Sequence, residues 1–159
     1  MNKEEFFTRI IEGYLFHDLK NMAELKQKRG EPAGAAGYPM LATLCSGIEL
    51  LGSVFQQEET YNRWNGQKYF NYYWVSFLED VNPRYRGFEN IFWNLIRHGV
   101  AHTYFAKVGV SVTKSKPRAH LVKVGEALNV DCTTFYRDLL KAYKKSRKLL
   151  KNSDITNTV

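Results

Sequence analysis

Basic side chains in the second half of the chain have the types and the spacing that chemistry on a phosphate needs. The stretch reads Arg97-His98-Gly99-Val100-Ala101-His102. Arginine presents a permanent, forked positive charge that fits a phosphate group, and histidine can take up or release a proton near neutral pH. RNA can be cleaved without a metal when two groups are present. A base removes the ribose 2′-OH proton, and a cation stabilises the charge that develops on the neighbouring phosphate. The stretch therefore predicts metal-independent RNA cleavage that leaves a 2′,3′-cyclic phosphate.

The spacing of Arg97 and His102 limits how a single subunit can combine them. Residues five apart differ by about 140° around an ideal α-helix, so these two do not share one face of a straight helix. Gly99 weakens the helix between them. Two copies of the helix that meet across a twofold axis would place two arginines and two histidines in one cleft. The spacing thus favours a composite site in a homodimer.

The stretch resembles the signature of the HEPN superfamily of helical nucleases. That signature is an arginine, a polar Asn, Asp or His, usually three variable residues, and a histidine; Arg97 to His102 match every position. The resemblance implies a bundle of four or five helices with the motif late in the third or fourth. It also implies a dimer with a shared cleft, and ribonuclease activity without metal or cofactor. Such proteins act in toxin–antitoxin, phage-defence and RNA-processing systems, so a cognate antitoxin protein is a further implied partner.

The same resemblance suggests a role for each residue. His102 would be the general base or acid, Arg97 would bind and stabilise phosphate, and His98 would be the polar accessory residue. Some members also use an acidic residue on an earlier helix, for which Glu49 is the candidate, because it is the only carboxylate in the apolar stretch of the second predicted helix. Because other members bind or scaffold without cutting, the alternative prediction is a non-catalytic RNA- or protein-binding module.

His98 and His102 also admit a metal-binding interpretation. Residues four apart share one helical face, and two histidines at that spacing can bind a metal. A third ligand is not evident nearby, because Glu89 and Asn94 lie at unsuitable spacings. Cys45 and Cys132, the only cysteines, form neither a disulfide framework nor a zinc pattern. We therefore predict no metal site and expect Cys45 to be a small buried residue.

Positive charge is concentrated in the last third of the chain. The net charge is +7; residues 1–105 contain 11 Lys/Arg and 12 Asp/Glu, whereas residues 106–151 contain 12 and 3. A basic segment that follows a nearly neutral one indicates a polyanion partner, most simply nucleic acid. The alternative is that these charges only form a solvated surface. The residues predicted to contact RNA are Lys114, Lys116, Arg118, Lys141, Lys144, Lys145 and Lys148.

Apolar residues at helical spacing predict a series of helices before the basic region. The first covers residues 3–28 and ends at a Gly/Pro-rich break over residues 29–37. A second helix follows from Tyr38, and an aromatic-rich third helix follows Asn65-Gly66. Asn82-Pro83 predicts the start of the fourth helix, as its cap and first residue, and this helix leads into Arg97.

After the motif the period changes from helical to alternating. Val108, Val110 and Val112 predict a strand, residues 114–117 a turn, and His120, Val122 and Val124 a returning strand, which Leu128 and Val130 are candidates to continue. A last helix covers about 132–150. The predicted fold class is mainly all-α, a four-to-five-helix bundle with a β-hairpin before the C-terminal helix. One domain is predicted over residues 1–151, with a disordered tail over residues 152–159.

Hydropathy predicts where the protein resides. No stretch approaches the roughly 20 uninterrupted apolar residues of a membrane span. The N-terminus lacks the apolar region and cleavage site of a signal peptide. We therefore expect a cytoplasmic protein with RNA and a second copy of itself as partners, and no membrane partner.

Overall fold

The fold is mainly helical, with a small three-stranded sheet ahead of the last helix. This confirms the helical fold class. The computed structural model describes residues 2–26, 35–56, 62–97, 99 and 109–156. His98, His102 and Val108 lie outside the described residues.

The first helix, α1, comprises the consecutive segments Lys3–Phe6, Phe7–Phe16 and His17–Glu24, of which the middle one is wound as a π-helix. Asn2 caps its start, since the side-chain oxygen accepts a hydrogen bond from the Glu5 N–H at 2.7 Å. Its apolar face is buried through residues such as Phe7, Ile11 and Leu19. The predicted first helix is confirmed, and it ends at Glu24.

Helix α2, Gly37–Phe55, lies at the centre of the core. The helix that contains Tyr69 approaches so closely at Gly52 that a Cβ there would lie 1.9 Å from the Tyr69 carbonyl oxygen. By length and composition α2 could cross a membrane, but most of its apolar stretch is buried inside the fold, as in the core helix of a soluble protein. The small residues of α2 therefore allow close helix packing, as their size predicts.

Helix α3 comprises Gly66–Tyr73, Trp74–Leu78 and Glu79–Val81, and its middle segment is also π-wound. The aromatic side chains of this helix are a main part of the core, so their role is packing. The fully buried ones are Tyr69, Phe70, Tyr73 and Trp74.

Helix α4 comprises Glu89–Ile91 and the π-wound segment Phe92–Arg97. Asn82 does act as a cap, but for a short 3₁₀ turn, Pro83–Tyr85. The prediction that Pro83 opens the fourth helix was therefore wrong. Gly87, with a φ of 79°, separates the turn from α4.

The sheet consists of β1 (Val110–Thr113), β2 (Val122–Val124) and β3 (Ala127–Asp131) in the order β1-β3-β2. Strand β1 runs parallel to β3, and β2 runs antiparallel to it. The predicted hairpin between the first two strands was therefore wrong. The hairpin is formed by β2 and β3, and β3 lies between the two strands that were expected to pair.

The connection from β1 to β2 explains this difference. It contains a 3₁₀ turn, Pro117–Ala119, and then Leu121 in the left-handed region with a φ of 54°. His120, expected on the returning strand, lies in this connection and is fully buried. The chain thus leaves β1 through an irregular connection, and β3 takes the place beside β1 that β2 was expected to have.

Helix α5, Cys132–Thr156, completes the fold. Its apolar residues are buried, among them Phe135, Leu139, Tyr143 and Leu150. The helix continues to Thr156, although residues 152–159 were predicted to form a disordered tail.

Candidate active site

Arg97 and Glu49 form an ion pair between α4 and α2. The Arg97 Nε donates a hydrogen bond to Glu49 Oε2 at 2.9 Å. The Arg97 side chain is 29% exposed, whereas the Glu49 side chain is only 6% exposed. Arg97 and Glu49 were both predicted as site residues, from the motif and its resemblance. They are 48 positions apart in the chain, and the fold brings them into direct contact.

Burial makes this pair strongly interdependent. Burying a carboxylate without a partner costs free energy, and the Arg97 guanidinium offsets this cost for Glu49. Cys45, on the preceding turn of α2, is fully buried. Burial raises the pKa of its thiol, while the Arg97 charge lowers it and the Glu49 charge raises it. The thiol therefore stays protonated in the core, which confirms Cys45 as a small buried residue.

The winding of α4 changes the geometric argument that the sequence suggested. Phe92–Arg97 is a π-helix, in which hydrogen bonds join residues five apart. The separation of about 140° holds for an α-helix of about 3.6 residues per turn. It does not apply to the segment that ends at Arg97. Short π-helical segments are frequent at functional sites.

The first turn of α3 borders the ion pair on another side. A Cβ at Gly66 would lie 2.7 Å from Glu49 Oε1 and 3.1 Å from Trp93 Cη2. The Trp93 ring packs against Phe70, with ring centroids 5.5 Å apart. The positive end of the α3 dipole also favours a carboxylate at this place. From the sequence, Asn65-Gly66 indicated only a helix break, so the part of Gly66 in this site was missed.

The two histidines of the motif lie outside the described residues, so the roles of His98 and His102 stay predictions. Gly99, between them, is described; it is helical and buried. Within the described part of the chain there is no group of three or more His, Cys, Asp and Glu residues that could hold a metal ion.

Among the residues predicted to bind RNA, Lys114 is engaged within the fold. Its ammonium donates hydrogen bonds to the carbonyl oxygens of Met22, Leu25 and Ala35, the latter two at 2.6 and 2.7 Å. Burial lowers its pKa. These contacts give Lys114 a structural role that the sequence did not indicate.

The other predicted RNA-binding residues divide into two groups. Lys145 forms an ion pair with Asp80, and Lys141 lies 4.0 Å from Asp138 while remaining 69% exposed. The remaining ones are exposed: Lys116, Arg118, Lys144 and Lys148. Lys141, Lys144 and Lys148 follow one another at spacings of three and four, which places them on one face of α5.

His120 belongs to a second, buried polar cluster beneath the sheet. Its Nδ1 accepts a hydrogen bond from the Asp131 N–H at 3.1 Å, so the proton of the neutral ring is on Nε2. Nε2 lies 2.8 Å from Tyr85 Oη, which donates to Asp138 Oδ2 at 3.2 Å. Burial lowers the pKa of His120 to about 4, against the opposing effects of Asp138 and Asp131. His120 is thus a neutral structural residue in this fold.

Comparison with known proteins finds no matching family model, no matching curated protein and no matching solved structure. The site must therefore be interpreted from its own chemistry and from the motif.

Proposed function

We propose that this chain is a metal-independent endoribonuclease with a HEPN-like helical bundle, in which Arg97 binds the phosphate that is attacked. The main support is the ion pair of Arg97 with Glu49. A catalytic arginine must be held in place and must also reach the substrate. In this pair the buried Glu49 carboxylate holds the guanidinium, and the Arg97 side chain is still partly exposed.

The geometry of the pair suits this role. Glu49 accepts from the Nε of Arg97, whereas most of the N–H donors of a guanidinium are on its terminal nitrogens. A phosphate can be bound by those terminal donors in the forked manner typical of arginine. Glu49 would thus orient Arg97 without using the donors that recognise RNA.

The proposed reaction uses the histidine of the motif as the proton carrier. His102 removes the proton of the 2′-OH, and the 2′ oxygen attacks the adjacent phosphorus. The bond from phosphorus to the 5′ oxygen breaks, and that oxygen takes a proton from a second histidine, His102 of a second copy of the chain. The products are a 2′,3′-cyclic phosphate and a 5′-hydroxyl end. Arg97 stabilises the charge on the phosphate oxygens, and His98 assists it.

The basic surface suits a substrate of this charge. Lys141, Lys144 and Lys148 share one face of α5, where exposed cations can follow a phosphate backbone. We propose RNA as substrate, a homodimer as the active form, the cytoplasm as location, and a toxin or phage-defence role with a cognate antitoxin as regulator.

The test is RNA cleavage in EDTA by the wild-type chain and by His102→Ala. We expect cleavage to a cyclic phosphate product by the wild type and a loss of about a hundredfold or more in the variant. Full activity of His102→Ala, or no cleavage of any RNA by the wild type, would exclude the proposed function.

A non-catalytic RNA-binding module is the second candidate, favoured by the exposed lysines of α5, which do not depend on the motif. It predicts salt-dependent RNA binding without turnover. Binding would then be weakened when Lys144 and Lys148 are replaced by Gln and unchanged in His102→Ala.

A further inference from the structure

We infer that Gly66 is a positioning residue for Arg97 and acts through the Glu49 carboxylate. In this view the first residue of α3 must lack a side chain, so that the carboxylate can lie between α3 and the guanidinium. The inference rests on the proposed ribonuclease function, because it gives Gly66 a part in orienting the proposed phosphate-binding group.

The space at Gly66 is already filled by two neighbours. A Cβ there would lie 2.7 Å from Glu49 Oε1, closer than real Cβ contacts, and 3.1 Å from Trp93 Cη2. One of the two side chains must therefore move if a methyl group is added. The Trp93 ring packs on Phe70, and Phe70 is fully buried. The flexible carboxylate is the group that can give way.

Separating the two helices to relieve the contact would open a close-packed contact nearby. Gly52, on the same helix as Glu49, packs directly on the Tyr69 carbonyl of α3, where a Cβ would lie at 1.9 Å. Moving the backbones apart would leave a gap at this contact, and moving a flexible side chain costs less. The displacement caused by a methyl group at residue 66 is therefore transferred to the Glu49 side chain.

Movement of Glu49 would release Arg97 from its orientation. The hydrogen bond from Nε to Oε2 is 2.9 Å long, and a shift of about 1 Å would break it. Misplacement of a catalytic group by about 1 Å can lower a rate about a hundredfold. Because orientation matters most for charge that develops in the transition state, kcat should fall more than KM rises.

The first experiment compares Gly66→Ala with Gly47→Ala in an RNA cleavage assay in EDTA. Gly47 is a matched control, because its added Cβ also meets a flexible side chain, Leu15 Cδ2 at 3.0 Å, but on the face of α2 toward α1. We expect kcat to fall about tenfold to a hundredfold for Gly66→Ala and to stay within about twofold for Gly47→Ala. Equal activities of the two variants would overturn the inference.

A second substitution separates positioning from a general effect on folding. Glu49→Asp shortens the side chain by one methylene and withdraws the carboxylate from residue 66. The double variant Gly66→Ala/Glu49→Asp should cleave RNA faster than Gly66→Ala, although Glu49→Asp alone should be slower than the wild type. If the double variant is slower than either single variant, the clash with Glu49 is not the cause.

A third measurement does not depend on catalysis. The Nε–H of Arg97 should give an NMR signal protected from solvent exchange in the wild type and in Gly47→Ala, assigned by its loss in Arg97→Lys. We expect Gly66→Ala to lose this protection. If the wild type cleaves no RNA, the proposed function fails, and this signal still decides the inference: retained protection in Gly66→Ala would overturn it, and its loss would support it.

Discussion

Two of the buried carboxylates in the described part of the chain, Glu49 and Asp138, have contrasting partners. Glu49 is bound by the guanidinium of Arg97, which is partly exposed. Asp138 accepts hydrogen bonds from the neutral side chains of Tyr85 and Asn82, and Tyr85 in turn contacts the buried His120. The Lys141 ammonium lies 4.0 Å from Asp138, beyond hydrogen-bond distance. A buried acidic group is therefore not by itself a sign of function. What distinguishes the two is whether the hydrogen-bonded partner carries charge and reaches solvent.

The same difference distinguishes a group that could bind substrate from a group that stabilises the fold. The cluster around Asp138 joins α5 to the segment after α3 and to the connection between β1 and β2, so each hydrogen bond ties elements together. The pair of Glu49 and Arg97 instead leaves part of a cation free to meet a substrate. Changes at the pair should affect activity most, and changes at the cluster should affect stability most.

The largest expected effect is on cleavage by Arg97→Lys. Lysine keeps the charge but lacks the forked donors that bind Glu49 and phosphate together. We expect kcat/KM for RNA to fall about a hundredfold or more, measured in EDTA on a short oligonucleotide.

Arg9→Lys is the matched control, since Arg9 forms an exposed ion pair with Glu5 at 3.0 Å on α1. It should retain the wild-type rate. Equal rates for Arg97→Lys and Arg9→Lys would show that the Arg97–Glu49 pair matters no more for cleavage than the exposed Arg9–Glu5 pair.

The next effect concerns the pH dependence of stability. The pKa of His120 is about 4 in the fold and 6.5 in its ordinary state. Between these values the unfolded chain binds a proton that the folded chain does not, so stability is present above pH 6.5 and is lost as the pH falls toward 4. The loss should be about 3 kcal/mol at most, measured by urea unfolding at a series of pH values.

His120→Gln should remove this part of the pH dependence. His17→Gln, at an exposed position on α1, should retain it. If His120→Gln and the wild type lose stability in parallel from pH 6.5 to 4, His120 is not the neutral buried group described above.

Tyr85→Phe should produce a smaller loss of stability without a loss of chemistry. It removes the hydroxyl between His120 and Asp138 and leaves both with an unmade hydrogen bond, which costs about 1–3 kcal/mol. The free energy of unfolding should fall by that amount, whereas kcat of the folded protein should be unchanged. Tyr14→Phe, at a side chain that is 63% exposed, is the control. A large fall in kcat for Tyr85→Phe would place the cluster in the active site.

The smallest expected effects are those of replacing two lysines, Lys148 and Lys114. Lys148 is exposed on α5, whereas Lys114 is bound to backbone carbonyls. Lys148→Gln should lower the slope of log affinity for RNA against log salt by about 1 and leave stability unchanged. Lys114→Gln should instead lower the free energy of unfolding by about 1–2 kcal/mol and leave the slope unchanged. The opposite assignment would show that Lys114 is the RNA contact.

The helices could be predicted because their signals are local. Apolar spacing within α1, α2 and α5 indicates which face is buried, whatever the rest of the chain does. The sheet could not be predicted in the same way, because β1 pairs with β3 across a connection that holds a 3₁₀ turn and a left-handed Leu121. Alternation along a strand states which residues share a face but not which strand is its neighbour.

The candidate site shows the same division. Glu49 could be found as the single carboxylate in an apolar stretch, and Arg97 by its motif. Gly66 could not, since its part depends on how closely α3 approaches the Glu49 carboxylate, which no local pattern encodes. Lys114 looked like one more surface cation, and only the folded chain reveals the carbonyl groups around its ammonium.

The contacts of Lys114 have a consequence for the connection between α1 and α2. Its ammonium binds the carbonyl oxygens of Leu25 and Ala35, so one side chain holds both ends of this connection. The entropic cost of closing a loop rises slowly, by about 0.6 kcal/mol for each doubling of its length. Lengthening the chain between residues 25 and 35 should therefore cost little stability as long as Lys114 keeps both contacts.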